Sequence, residues 1–137
     1  MSQLTGGCLC GQVRYHSDAT PLLTGVCHCR DCQKQTGTSF SIIVALPDGA
    51  LRYEGKMNEF VTIGASGQQV HRHFCGHCGS PIVSIAESMP GMVFLKAGTL
   101  DDPSTLSPQM EVWCDTAQPW LESRAGLPRM PGNPPSG

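Results

Sequence analysis

The chain has little charge, few aromatic residues and no long apolar run. Only 15% of its 137 residues are charged and 6% are aromatic. The formal net charge is −2, so the chain lacks the basic surplus of a nucleic-acid-binding domain. No stretch approaches the roughly 20 apolar residues of a membrane-spanning helix. The N-terminal residues MSQLTGGCLC have neither the basic start nor the apolar segment of a signal peptide. We therefore expect a cytoplasmic protein with no nucleic-acid or membrane partner.

The chain is rich in cysteine, and the cysteines are unusually arranged. Seven of the eight cysteines fall into three tight clusters: Cys8-x-Cys10, Cys27-x-Cys29-x2-Cys32 and Cys75-x2-Cys78. In a reducing cytoplasm such clusters indicate metal binding rather than disulfides, although a disulfide framework is the alternative. The clusters therefore predict metal sites with sulfur ligands, for which zinc is favoured over iron.

The number of cysteines predicts two different zinc sites. Two clusters of two make one closed site with the four sulfurs of Cys8, Cys10, Cys75 and Cys78. The knuckle turn Cys75–Gly79 should let two thiolates converge, and extended chain at Cys8–Cys10 should place both sulfurs on one face. Structural zinc is usually closed in this way, whereas catalytic zinc keeps three protein ligands and an open position. We expect the first ion to staple the domain.

The middle cluster, Cys27, Cys29 and Cys32, leaves one position of a tetrahedral site open. Three thiolates make zinc a weak Lewis acid toward water, so a soft thiol suits the open position better than hydrolysis does. A thiol bound there would become a thiolate that can attack a nearby aldehyde. Alternatively, Cys114, His71 or His73 closes the site and the second zinc is structural as well.

Short apolar runs with period two predict strands. They are Gly11–His16, Leu23–Cys29, Ser39–Leu46, Leu51–Tyr53, Glu59–Gly64, Val70–Cys75, Pro81–Ala86, Met92–Ala97 and Met110–Cys114. Helix is confined to Arg30–Thr36, ended by Gly37, and to single turns at Asp102–Ser107 and Pro119–Arg124. We expect one domain over residues 1–124. Residues 125–137 contain four prolines and three glycines and predict a flexible tail.

Three segments together resemble the glutathione-dependent formaldehyde-activating enzyme family, to which centromere protein V also belongs. They are GGCLCG (6–11), CHCRDCQKQTGTSF (27–40) and FCGHCGSPI (74–82), and the resemblance extends over about residues 3–123. It implies several coiled antiparallel sheets, called a β-tent, with two zinc ions per chain. Cys8, Cys10, Cys75 and Cys78 would hold the structural zinc, and Cys27, Cys29 and Cys32 the catalytic zinc.

The resemblance also implies an activity. The family's named enzyme is a carbon–sulfur lyase that adds formaldehyde to glutathione to form S-hydroxymethylglutathione, which detoxifies formaldehyde. We therefore expect a small thiol such as glutathione and an aldehyde as substrates. Arg30, Lys34 and Arg72 are candidates for binding a substrate carboxylate. The alternatives are a non-enzymatic zinc-binding interaction module and a zinc or thiol sensor with the same fold.

Overall fold

The computed structural model describes residues 3–122 and 126–133. Among these residues it is mostly β-structure, with ten strands, one α-helix and three short 3-10 helices. The strands are β1 Leu4–Gly7, β2 Arg14–Ser17, β3 Leu23–Cys27, β4 Ser41–Pro47, β5 Arg52–Glu54, β6 Met57–Ile63, β7 Gln69–Cys75, β8 Pro81–Ala86, β9 Met92–Lys96 and β10 Met110–Val112, and the helix is α1 Arg30–Thr36. The prediction of an all-β fold with very little helix is confirmed. No helix in the described part of the chain is long and apolar enough to cross a membrane.

The sequence pattern located most of the elements. Strand β8 and helix α1 have the predicted limits, and β3, β4, β6, β7, β9 and β10 differ from theirs by one to three residues. Strand β1 was not predicted, because its sequence LTGG has no apolar alternation. The single helical turn predicted at Pro119–Arg124 is a non-helical turn where it is described, and residues 123–125 lie outside the described residues.

The strands form two sheets. The smaller has the order β1-β2-β5, and the larger has the order β10-β3-β4-β9-β8-β7-β6. All described pairs are antiparallel except β10 with β3, which is parallel. An isolated bridge between Gly6 and Leu100 connects the small sheet to the chain that follows β9. The two sheets therefore meet around one apolar core, to which Val13, Val44, Leu46, Ile82 and Leu95 contribute fully buried side chains.

The larger sheet has a second face, directed away from this core. Gly25 on β3 lies opposite Ile43 on β4, and Ile43 lies opposite Lys96 on β9, so these three share a face. Their neighbours Val44 and Leu95 point into the core instead. Because side chains alternate along a strand, the sheet can bury a core on one side and line a cavity on the other.

Residues 126–133, which belong to the predicted flexible tail, bond to strand β10 and its neighbours. The N–H of Met130 donates to the carbonyl of Glu111 at 2.9 Å, and the N–H of Glu111 donates to the carbonyl of Pro128 at 2.9 Å. Arg129 forms a parallel bridge with Glu111. The indole N–H of Trp113 donates to Asn133 at 2.9 Å. These bonds connect the described part of the segment to β10, and its flexibility stays a prediction. Residues 125 and 134–137 lie outside the described residues, and the domain limit at residue 124 stays a prediction.

Candidate metal centres and their pocket

The structure brings the four cysteines of the predicted closed site together. The sulfurs of Cys8, Cys10, Cys75 and Cys78 all lie within 4.8 Å of one another. Cys8 and Cys10 belong to the turn between β1 and β2 in the small sheet. Cys75 is the last residue of β7 in the large sheet, and Cys78 lies in the turn from β7 to β8. An ion held by all four would therefore join the two sheets.

Backbone N–H groups point at these sulfurs. The N–H of Val13 donates to Cys8 Sγ at 3.2 Å, and the N–H of Cys78 donates to Cys75 Sγ at 3.4 Å. Such bonds favour thiolates, which are the forms that bind metal. The hydroxyl of Ser80, together with backbone N–H groups, lowers the pKa of Cys78 to about 5. The donor set and its surroundings thus fit a tetrahedral zinc ion.

The local conformation at Cys8 and Cys10 differs from the expected extended chain. Residues 8–13 form a tight turn in which the N–H of Gly11 donates to the carbonyl of Cys8 at 3.1 Å. Gly11 has a φ of 86°, which favours glycine. The two sulfurs converge because the chain turns, rather than because alternate residues of a strand share a face.

The second cluster forms around the start of helix α1. Cys27 is the last residue of β3, Cys29 is the N-cap of α1, and Cys32 lies in the first turn of the helix. Their sulfurs also lie within 4.8 Å of one another. Cys29 Sγ accepts a hydrogen bond from the N–H of Cys32 at 3.2 Å, as a capping side chain does. The strand-like C-x-C that the sequence suggested is therefore a junction between a strand and a helix.

Electrostatics in this cluster favour a thiolate at Cys32, whereas the pKa values of Cys27 and Cys29 are raised. Contacts with the thiols of Cys27 and Cys29 lower the pKa of Cys32 to about 2, and the positive charges of Lys96 and Arg72 add to the effect. The same contacts, from Cys29 first and Cys32 second, raise the pKa of Cys27. Three soft donors that readily share negative charge fit zinc, with one tetrahedral position left for another ligand.

The loop that carries the cluster is held by buried polar groups that the sequence analysis missed. His28, between two of the cysteines, is fully buried and its Nε2 lies 2.8 Å from Glu111 Oε1. Gln33 donates to the carbonyl of His28 at 2.7 Å and to that of Thr116 at 3.1 Å. Glu111 could have been suspected from the sequence, because it is an acidic residue inside the apolar run MEVW.

The three residues that could have closed the second site do not join it. Cys114 begins a 3-10 helix and belongs to neither group of potential metal ligands. His71 and His73 instead contact carboxylates on the sheet surface: His73 Nε2 lies 2.8 Å from Glu59 Oε2, and His71 Nε2 lies 3.0 Å from Glu87 Oε2. Within residues 3–122 and 126–133, the metal-ligand group at α1 has three members.

The three-cysteine cluster lines a cavity of about 310 Å³ on the second face of the large sheet. Its walls are largely apolar and include Leu23, Ile43, Val70 and Phe94. Trp113 lies at the same cavity and has a φ of 58°, an unusual conformation for a bulky residue. The four-cysteine cluster does not line this cavity. Of the two cysteine groups in the described residues, the α1 cluster is therefore the one that could present a metal to a substrate there.

The candidate substrate-binding cations are placed differently. Arg30 and Arg72 line the cavity, whereas Lys34 lies outside it on the exposed side of α1. Lys96 also lines the cavity and was missed, although a lysine in the otherwise apolar run MVFLKA is a signal that could have found it. Burial lowers the pKa of Lys96, and the charges of the nearby cysteines oppose that shift.

A β fold with a four-sulfur cluster between its sheets and a three-sulfur cluster in a cavity defines a protein that can hold two metal ions, one of them accessible to small molecules. The sequence model of the glutathione-dependent formaldehyde-activating enzyme family matches residues 3–116, and the chain belongs to this family. The fold is also similar to the crystal structure of a Rhodobacter sphaeroides protein, with a TM-score of 0.58 and 19% identity over 92% of this chain and 98% of that chain. No curated protein matches the sequence.

Proposed function

We propose that the protein is a zinc-dependent carbon–sulfur lyase that forms or breaks an adduct between a small thiol and an aldehyde, such as S-hydroxymethylglutathione. Family membership supports a function related to glutathione and formaldehyde. The observation that carries the proposal of a zinc-dependent lyase is that the two cysteine groups differ. Of the two, the group with three members lines the cavity.

The chemistry needs little from the protein beyond binding and orientation. A zinc ion held by Cys27, Cys29 and Cys32 would supply a Lewis-acidic position that favours the thiolate form of the substrate thiol. The substrate sulfur forms a bond to the carbonyl carbon, the π electrons move to the oxygen, and that oxygen takes a proton from water. The proton lost by the thiol returns to water, so no oxidant or reductant is consumed. The reverse sequence breaks the same bond.

The cavity contributes by limiting the freedom of both reactants. Its walls are largely apolar, and Cys29 and Cys32 are fixed at the first turn of α1. Gln33 and Thr116 hold the carbonyl of His28, which keeps the cysteine loop in place. Fixing two reactants at contact distance accounts for a large part of many enzymatic rate enhancements.

The test is exchange spectroscopy of glutathione with formaldehyde. A catalytic amount of zinc-loaded protein should accelerate interconversion of free glutathione and its adduct in proton NMR spectra. The Cys29→Ser variant should lose the acceleration, whereas Cys114→Ser, a control that removes a thiol outside both groups, should keep it. An unchanged exchange rate with wild-type protein would reject the lyase proposal. Loss of one zinc to a mild chelator in that case would favour the sensor alternative.

A further inference from the structure

A row of polar side chains crosses the floor of the cavity. Ser84 on β8 lies directly opposite Arg72 on β7 and opposite Phe94 on β9, and Lys96 follows Phe94 on the same face. Arg72, Ser84 and Lys96 all line the cavity that contains the three-cysteine cluster. They are 7%, 8% and 4% exposed, respectively. Two cations are thus buried on either side of a serine.

Ser84 and Lys96 keep hydrogen-bond donors that have no partner among the described residues. The Oγ of Ser84 is buried and has no hydrogen-bond partner among the described residues. Lys96 Nζ donates to Ser41 Oγ at 3.0 Å, which leaves two of its three N–H groups. Buried hydroxyl and ammonium groups normally find partners, so unused donors in a cavity indicate a missing acceptor.

The charges of the row are also poorly balanced by nearby carboxylates. In the described part of the chain, no carboxylate lies within 4.0 Å of Lys96. Arg72 has Asp31 at 4.0 Å, but that carboxylate is half exposed to solvent. The guanidinium otherwise donates to Thr62 and Gln35. Burying two cations is costly unless anions are bound nearby. Among the described residues, the negative groups that act on Lys96 are the thiolates of Cys27, Cys29 and Cys32.

We propose that Arg72, Ser84 and Lys96 form an anion subsite that binds a carboxylate of the carbonyl substrate, so that the protein accepts aldehydes of the 2-oxo-acid type. The assignment of the carboxylate to the carbonyl substrate rests on the proposed function. A carboxylate would accept from Ser84 Oγ, from the free N–H groups of Lys96 and from Arg72, which supplies donors that match its geometry.

The position of Lys96 indicates that the bound carboxylate belongs to the aldehyde substrate rather than to the thiol. Lys96 Nζ contacts Ser41, and Ser41 lies directly opposite Cys27 across the strands β4 and β3. Directly opposed side chains have Cβ atoms about 5 Å apart. The ammonium is therefore close to the cysteine cluster where the sulfur of a thiol would bind. In a 2-oxo acid the carboxylate is bonded to the reacting carbon, whereas the carboxylates of a tripeptide thiol are several bonds from its sulfur.

Binding of glyoxylate to the zinc-loaded protein without any thiol tests the subsite independently of turnover. Isothermal titration calorimetry should show binding by wild-type protein and a loss of about tenfold or more in affinity for Lys96→Met, because a charge-assisted hydrogen bond is removed. Lys96→Arg, which retains the charge, should lose less. Lys56→Met, a control on the exposed chain between β5 and β6, should bind as wild type.

Ser84→Ala separates a binding role from a structural one. Removing a buried hydroxyl without a partner should leave the melting temperature unchanged or raise it, and should weaken glyoxylate binding severalfold. Equal affinity in Lys96→Met and wild type would overturn the proposal, because the carboxylate would then be held by the metal alone.

The source of the carboxylate is tested by changing each substrate in turn. In the exchange assay, Lys96→Met should slow adduct formation with glyoxylate much more than with formaldehyde when the thiol is the uncharged 2-mercaptoethanol. A defect seen only with glutathione would assign the subsite to the thiol and overturn our assignment. Lysine-dependent glyoxylate binding without any accelerated exchange would keep the subsite and reject the lyase function.

Discussion

At the scale of single residues, the two cysteine groups differ in what surrounds them. Cys75 lies in the main apolar core, and its group spans the turns of both sheets. Cys27 and Cys32 pack in a smaller apolar cluster with Val112, beside a cavity. Loss of a ligand should therefore have different consequences in the two groups.

This difference predicts opposite results for two serine variants. Cys29→Ser should release about one zinc ion per chain and keep most of the fold, since the ligand lies at a cavity rather than between sheets. Cys78→Ser should destabilise the protein by several kcal/mol, because metal binding between the sheets contributes directly to folding. Metal analysis and thermal unfolding of both purified variants would check this. Equal destabilisation by the two substitutions would contradict the division between a structural and an accessible site.

Residue types in the sequence were sufficient to group the cysteines but not to find the whole site. Close spacing predicts that Cys27, Cys29 and Cys32 share an ion, since a short segment cannot place them far apart. Ser84 and Lys96 lie on strands that are distant in sequence from the three cysteines, and the strand register places them in the same cavity. The lysine stands out in its apolar run, but its position beside the cysteines depends on strand pairing that no local pattern encodes.

At the scale of secondary-structure elements, strand β1 shows how close packing can replace an apolar pattern. A Cβ atom on Gly6 would lie 2.3 Å from the backbone oxygen of Thr99 and 2.3 Å from the hydroxyl oxygen of Tyr15. The strand therefore fits only because it is nearly free of side chains at this point. The same feature explains why periodicity did not predict it.

We expect Gly6→Ala to destabilise the protein by about 1–3 kcal/mol, because a backbone oxygen cannot move away easily. Gly98→Ala is the matched control, since a Cβ atom there would have no neighbour within 4 Å. Urea unfolding of both variants would measure the difference. If the two substitutions had equal effects, the close approach of β1 to the chain after β9 would not be a stabilising contact.

At the scale of the whole molecule, the described C-terminal residues complete the environment of the three-cysteine group. Met130 packs against the apolar cluster that contains Cys27 and Cys32. Arg129 Nη1 lies 3.4 Å from Glu111 Oε2, and the other oxygen of that buried carboxylate contacts His28. The segment is thus connected to the cysteine loop through both apolar and charged contacts.

Deleting residues 126–137 should consequently lower the melting temperature by several degrees and loosen zinc binding at the three-cysteine group. The expected cause is exposure of Val112 and Cys27 and the loss of Arg129 beside a buried carboxylate. Thermal unfolding and a zinc competition titration against a chelating dye would measure both effects. An unchanged melting temperature and zinc affinity would mean that the segment contributes nothing to the domain.

The C-terminal segment bonded to β10 also determines at which edge the large sheet can pair with a further strand. One edge strand of that sheet, β10, already bonds to residues 128–130. The opposite edge strand, β6, has no further strand beside it in the described residues. Phe60 and Ile63 on β6 are more than half exposed. An exposed edge strand can pair with a strand of another copy and so lead to aggregation. Such pairing is blocked at β10 and possible at β6. A single lysine placed on the outer side of β6 would be the most economical way to keep concentrated solutions of this protein from aggregating.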